Sequence, residues 1–223
     1  MLAFAKALFS TILIFFIFVM IYNLLTKKYV SPYTLCIVFG KKGAGKSCSM
    51  QKDLRKHYKN GWHCFADSNT DLPFVTRIDA KQLPYYNFPQ NSFIVIDEIN
   101  LLWDNRDFKK FDPAIQKWFR EQRKHKCKVI GYSQTFDCDK KLRDLADRLA
   151  IQIKFARVFS KRRYYIKTPR VISAEVARDH SKICDDYIKV PWFFGGLDFT
   201  FIPKYVKDYN TNEIHGEVSH VET

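Results

Sequence analysis

Gly40-Lys41-Lys42-Gly43-Ala44-Gly45-Lys46-Ser47 fits the pattern G-x-x-x-x-G-K-[ST], and its flanks make the match specific. Before it, Tyr33 to Phe39 is an apolar, β-rich run that reads as a buried strand. After it, Cys48 to Tyr58 carries Met50 and Leu54 among helix-friendly Lys, Arg and Gln. Strand, glycine loop and helix start together make a phosphate cradle. Amide N–H groups of the loop and helix N-terminus point at the phosphates, and glycines let the backbone come close. The expected nucleotide contacts are therefore Gly40, Lys41, Lys42, Gly43, Ala44, Gly45, Lys46, Ser47 and the helix-opening Cys48. With ATP as the nucleotide, Lys46 is expected to reach the β- and γ-phosphates and the Ser47 hydroxyl to ligate Mg²⁺. A glycine-rich turn that holds no nucleotide is the competing reading.

A second motif weighs against that alternative. Ser92-Phe93-Ile94-Val95-Ile96-Asp97-Glu98 reads as a buried central strand whose carboxylates emerge at its C-terminal edge, where ligands sit in open α/β sheets. Asp97 is expected to hold Mg²⁺ through its water shell, and Glu98 to polarise an attacking water as general base. A strand ending in acids is common by itself; combined with Gly40 to Ser47 it reads as a site of nucleotide hydrolysis. Cys127 to Tyr132 is the next strand and ends in Ser133-Gln134-Thr135. Gln134 is the expected sensor of the γ-phosphate or the attacking water beside Glu98, against the alternative of a strand-end Gln that caps a loop. The fold class expected is α/β: a P-loop NTPase with a mainly parallel central sheet flanked by helices, preceded by one N-terminal transmembrane helix.

That helix is read from Ala7 to Leu25, about 19 residues without a charge, enough to span a bilayer core at about 1.5 Å per residue. A cleaved signal peptide is the alternative, but its core is shorter and ends in small residues, whereas this run ends Asn-Leu-Leu-Thr-Lys-Lys. Lys27 and Lys28 follow it and only Lys6 precedes it, which places the N-terminus outside and the large domain in the cytoplasm. The expected division is an anchor at 1–30, an ATPase domain at 31–172 and an extension at 173–223.

Between these motifs the pattern is coarser. Trp62 to Ala66 reads as a strand after the Asn60-Gly61 turn, and Ser68 to Asn91 as short irregular elements. Asp112-Pro113 opens a helix in which Ile115, Trp118 and Phe119 pack inward. Asp139 to Leu149 reads as helix, Ala150 to Val158 as an alternating strand, and Phe159 to Arg163 as a turn returning through Tyr164 to Lys167. Lys161-Arg162-Arg163 at that turn can contact nucleic acid or simply be solvated. Val190 to Gly196 and Phe199 to Tyr205 are aromatic-rich, suited to a sheet edge, a membrane-near surface or a partner; the tail from Asp208 is polar.

The chain has 223 residues and a net charge of +14, which favours nucleic acid or anionic lipid as a neighbour. Its six cysteines contain no C-x-x-C pair and read as free thiols of a reducing compartment rather than disulfides. His125 near Cys127 lacks zinc spacing.

Taken in order, Gly40 to Ser47, Ile94 to Glu98, Arg123-Lys124-His125 before a strand ending in Ser133-Gln134, and Arg143 in the next helix resemble the zonular occludens toxin (Zot) family. These are the filamentous-phage assembly ATPases, related to the FtsK–HerA DNA-pumping ATPases, and the match runs from about Tyr33 to Phe155. The resemblance implies an inner-membrane, single-pass protein that uses ATP to assemble and extrude virions. Its implied partners are the membrane, further copies in a homo-oligomeric ring, phage coat or pore proteins, and single-stranded DNA. It also implies an arginine that completes the neighbour's site: Arg123, with Arg120 and Arg143 in reserve. In the family the ATPase usually comes first and a transmembrane helix and periplasmic tail follow; here the apolar run comes first, so the resemblance extends to the cytoplasmic motor. A plasmid or conjugative DNA-translocation ATPase, a non-hydrolytic nucleotide-binding scaffold and a metabolite kinase are the other readings.

Overall fold

A computed structural model describes residues 2–68, 70, 72–103, 112–136, 138–172 and 182–206. Its centre is a nine-stranded sheet: β1 (Leu35–Phe39), β2 (His63–Ala66), β3 (Val75–Arg77), β4 (Ser92–Ile96), β5 (Cys127–Ser133), β6 (Arg148–Phe155), β7 (Phe159–Ile172), β8 (Lys182–Lys189) and β9 (Leu197–Phe201). The spatial order is β3-β2-β4-β5-β1-β6-β7-β8, with β9 paired to β7. Strands β1 to β6 pair in parallel, and β7 pairs antiparallel with β6, β8 and β9. β8 and β9, which lie beyond residue 172, thus join the same sheet.

Among the described residues the helices are α1 (Leu2–Thr26), α2 (Lys46–Lys59), α3 (Ile99–Leu102), α4 (Pro113–Glu121), α5 (Lys140–Leu145) and α6 (Ile202–Tyr205). β1 and β4 are buried along their whole length, as strands covered by helices on both faces must be. Alternating side chains split the core in two. Leu35, Ile37, Ile94 and Ile96 pack with Trp118 of α4 and Leu142 of α5 on one face. Cys36, Val38, Phe93 and Val95 pack with Met50 and Leu54 of α2 on the other. α4 begins as its sequence dictates: Asp112 accepts from the Ala114 amide at 2.8 Å and Pro113 takes the first helical position. Cys36, Cys48, Cys64, Cys127 and Cys138 are free, buried thiols.

Two local expectations are corrected. The helix expected over Asp139 to Leu149 stops at Leu145, because Arg148 and Leu149 pair with Cys36 and Ile37 of β1. Apolar spacing at Leu142, Leu145, Ala146 and Leu149 suits either state, and the ladder to a central strand decides it. The turn expected over Phe159 to Arg163 lies earlier, at Ala156 and Arg157, whose φ values of 45° and 59° match the right-handed twist of a hairpin. Phe159 to Arg163 is strand, in register with Phe155 to Ile151. In β6 Ile151, Ile153 and Phe155 are exposed together with Lys154, while Gln152 is buried beside Leu149 and Ala150.

Ser68 to Asn91 holds β3 and a 3-10 turn at Ala80–Tyr85. In α1, the segment Phe4–Thr26 is long and apolar enough to cross a membrane, with a mean hydropathy of 2.5. The tail from Asp208 lies outside the described residues.

Candidate active site

β1 delivers the glycine loop to the C-terminal edge of the parallel strands. The Gly40 amide donates to Ser133 O at 3.0 Å, which pins the loop to the end of β5. Gly43 and Gly45 have φ of 79° and 85°, where a side chain is resisted. A Cβ on Gly45 would also lie 2.9 Å from Ser160 Cβ, and one on Gly40 2.9 Å from Gln152 O. α2 opens at Gly45 without a side-chain cap, which leaves its first amide donors for a ligand.

The Lys46 ammonium donates to Gly40 O at 2.7 Å. Burial lowers its pKa, while the Glu98 and Asp97 carboxylates act to raise it, so both acids lie within electrostatic reach of the lysine. At the end of β4, Glu98 has φ 47° and ψ 48°, a left-handed conformation that costs about 1–2 kcal/mol for a residue with a side chain. Asp97 Oδ1 accepts from the Glu98 amide at 3.0 Å. Gln134 Nε2 donates to Glu98 Oε1 at 2.7 Å. Lys46, Asp97, Glu98 and Gln134 thus converge at one edge.

Arg123 does not join them. It ion-pairs with Asp147, whose other oxygen accepts from the Leu35 amide at 2.8 Å, at the edge where β1 begins. The seven residues of β5, at about 3.3 Å each, separate that edge from Gln134 by about 20 Å. Arg120 is exposed on α4. Arg143 lies over the Phe136 ring at 6.0 Å.

Lys161-Arg162-Arg163, expected at an exposed turn, lies within β7, and Arg162 is fully buried. Its guanidinium meets Asp53 Oδ2 at 2.8 Å and donates to the Tyr132 hydroxyl at 2.8 Å. A buried guanidinium needs such a partner, and α2 supplies it on the face that Arg162 enters.

The sequence reading missed other residues. Asp67 directly follows β2, and its Oδ1 accepts from the Asp97 amide at 2.8 Å. Burial, with the Asp97 charge adding to it, pushes the Asp67 carboxyl up to about 7. Phe65-Ala66-Asp67 repeats the apolar-strand-then-acid pattern of β4, a signal that could have found it. Beneath the loop, Ser160 Oγ donates to Ala44 O at 2.7 Å, and Gln152 Nε2 donates to Ser160 Oγ and Ser49 Oγ at 2.7 and 2.8 Å. No local pattern announces this support, because its members come from α2, β6 and β7. Beside the loop, Phe136 stacks on Phe39 with centroids 3.9 Å apart. With Ile151 and Ile153 they line a cleft of about 700 Å³ along Gly40 to Ala44.

A glycine cradle, free helix amides, one lysine, one hydroxyl and paired acids fit a magnesium nucleotide, and fold and site define a P-loop ATPase. The family model for zonular occludens toxin (Zot) matches residues 76–192, more than half of the chain, and the chain belongs to the Zot family. Its structure is similar to the N-terminal domain of zonular occludens toxin from Neisseria meningitidis, with a TM-score of 0.50 and 15% identity over 74% of this chain and 99% of that one. It is also similar to the genome packaging NTPase of Sulfolobus turreted icosahedral virus 2 in complex with ATP-gammaS, with a TM-score of 0.48 and 13% identity over 69% of this chain and 98% of that one. No curated protein sequence matches the chain.

Proposed function

We propose that the chain is a membrane-anchored, ATP-hydrolysing motor for the assembly and extrusion of filamentous phage virions. The observation that carries hydrolysis is the Gln134–Glu98 hydrogen bond at the strand ends, beside Lys46. The phosphates of ATP rest on the amides of Gly40 to Cys48, and Lys46 holds the β- and γ-phosphates. Ser47 and Asp97 hold Mg²⁺, which when bound offsets the phosphate charge. Glu98 takes a proton from a water whose oxygen attacks the γ-phosphorus; the bond to the bridging oxygen breaks, releasing ADP and phosphate. Gln134 keeps Glu98 and that water aligned, and the aromatic cleft takes the base. Lys46→Ala is expected to weaken ATP binding beyond detection in a fluorescent-nucleotide titration; unchanged affinity would contradict this cradle.

Arg123 lies too far from its own chain's loop to serve it, which supports action on a neighbour in a ring. Mixing Lys46→Ala subunits with Arg123→Ala subunits is then expected to restore part of the lost phosphate release, since one interface in a mixed ring keeps both groups. No rescue at any ratio would count against that role.

In this reading α1 crosses the host inner membrane once, about residues 7–25, with the ATPase in the cytoplasm. The units are an anchor at 1–30, the ATPase at 31–172 and an extension at 173–223 that widens the sheet. Phage coat or pore proteins and single-stranded DNA are its partners, and Zot membership supports this. The net charge of +14 also suits a DNA-translocation ATPase of a plasmid or conjugative element. Small coat-protein genes beside this one would decide for phage assembly.

A further inference from the structure

Val190 to Gly196 has no place in the nucleotide site, yet it forms a built feature. Trp192, Phe193 and Phe194 make one 3-10 turn between β8 and β9. The turn is closed by hydrogen bonds that the Phe194 and Gly196 amides donate to Pro191 O, each at 3.0 Å, and the Gly195 amide to Trp192 O at 3.2 Å. Both glycines are required: Gly195 has φ 77°, and a Cβ on Gly196 would lie 1.8 Å from Val190 O. The result is a tight knob with aromatic rings outside, Trp192 being 52% and Phe194 42% exposed.

The knob lies against α1. Phe193 meets Phe15, Trp192 meets Phe16, and Phe194 meets Tyr22, with centroids 5.9, 5.5 and 5.8 Å apart. Asn23 Nδ2 donates to Phe193 O at 3.0 Å. Among the described side chains of α1, Val19 alone is buried. Phe15, Val19, Tyr22 and Asn23 recur at helical spacing, so one face of the helix receives the knob.

We propose that the Trp192–Phe194 turn is a second membrane-engaging element, which docks on the C-terminal half of α1 and inserts its rings into the adjoining leaflet of the bilayer. The inference rests on α1 crossing the membrane. The contacts run from Asn23 to Phe15, about 5–17 Å along the helix from Thr26 at about 1.5 Å per residue, so the knob reaches through the headgroup boundary into the hydrocarbon of one leaflet. Trp and Phe with satisfied backbone groups suit that layer, because an open amide or carbonyl there loses its water partner. Asn23, the polar residue of the docking face, is hydrogen-bonded to the knob's Phe193 carbonyl. Lys27 and Lys28 follow α1 at the level of anionic headgroups. The exposed Tyr29, Tyr187 and Ile188 extend the same apolar character on either side of the contact in sequence. The occupant is therefore lipid.

The knob also ties the membrane to the site. β9 begins three residues after Phe194. In it the Thr200 hydroxyl accepts from Ser49 of α2 at 3.0 Å, and Phe199 O accepts from Lys52 at 2.8 Å. Seating the knob in the bilayer thereby sets how the phosphate-loop helix lies relative to it.

The test uses the full chain in phosphatidylethanolamine–phosphatidylglycerol vesicles whose acyl chains carry bromine. Trp103 and Trp118 are buried in the core and Trp62 is half-buried against Tyr33 and His57, so Trp192, 52% exposed on the knob, is the tryptophan expected to reach the quencher, and Trp62→Phe serves as the control that keeps the quenching. Part of the tryptophan emission is expected to be quenched, and Trp192→Phe, which keeps the ring apolar, is expected to remove most of that quenching. Equal quenching in both proteins would overturn the proposal. In a second measurement, Phe15→Cys with Phe193→Cys, at rings whose centroids lie 5.9 Å apart, is expected to be joined within one chain by a short bifunctional maleimide in the same vesicles. A crosslinked dimer would assign the knob to a second copy's anchor, and absence of any bond would remove the docking; either overturns the proposal. Neither readout involves nucleotide, so failure here leaves the ATPase reading standing.

Discussion

Glu98→Gln is expected to lower ATP turnover by about 10²–10⁴-fold, the usual contribution of a positioned general base, while ATP binding stays close to that of the native protein. Gln matches Glu in size and can still accept from Gln134 Nε2, so the 2.7 Å contact has a successor. What disappears is the basicity that removes a proton from water. The left-handed backbone at Glu98 is no harder for Gln than for Glu, so the melting temperature is expected to hold. Steady-state phosphate release and a nucleotide titration on the same preparation separate the two effects. Turnover at the native rate would remove Glu98 from the chemistry and leave a nucleotide-binding scaffold as the better reading.

Arg162→Met is expected to destabilise the fold by about 3–5 kcal/mol, because it leaves the Asp53 carboxylate buried with its main partner gone. Pairing it with Asp53→Leu is expected to recover most of that loss, since two apolar side chains replace two charges. Denaturant unfolding of the full chain in detergent checks both. The pH dependence carries its own sign. Burial acts to raise the Asp53 pKa, but the Arg162 charge and hydrogen bond outweigh it and hold the carboxyl below its ordinary value. A depressed carboxylate stabilises the fold above the unfolded value near pH 4, and that stability is lost as pH falls through the folded value. In Arg162→Met burial acts with far less opposition and the folded pKa rises, so that variant is expected to lose stability as pH climbs above about 4. Slopes of the same sign in both proteins would contradict the ion pair as the cause.

Removal of Arg162 is also expected to reach the nucleotide site. Its Nε donates to Gln152 Oε1 at 3.4 Å, and Gln152 braces Ser160 beneath the Ala44 carbonyl. Core stability and loop geometry therefore share one polar cluster. This explains the faces of β6: Gln152 points inward because the loop's underside needs donors, and Ile151 and Ile153 point outward along the cleft.

Gly40 to Ser47 and Ile94 to Glu98 were legible because their chemistry is local. A loop that must expose amides needs glycines in order, and a strand that presents carboxylates at its edge needs an apolar run before them. The same holds for α1, whose apolar length needs no partner to be read, and for the Asp112-Pro113 helix start. Leu145 to Leu149 misled, because apolar spacing there suits helix and strand alike and only pairing with β1 chooses. Lys161-Arg162-Arg163 misled more, since three cations in a row read as a solvated tip.

By itself, then, the sequence determined a phosphate-binding loop, an acid pair at a strand end and an apolar N-terminal helix, each set by neighbours a few residues away. The tertiary structure alone decided that Gln134 meets Glu98, that Arg123 stands at the opposite edge, that Arg162 is buried and that an aromatic turn seats on α1. The physical reason is that the free energy of a charge or an exposed ring depends on what the fold brings beside it, and for Arg162 that partner lies 109 residues away.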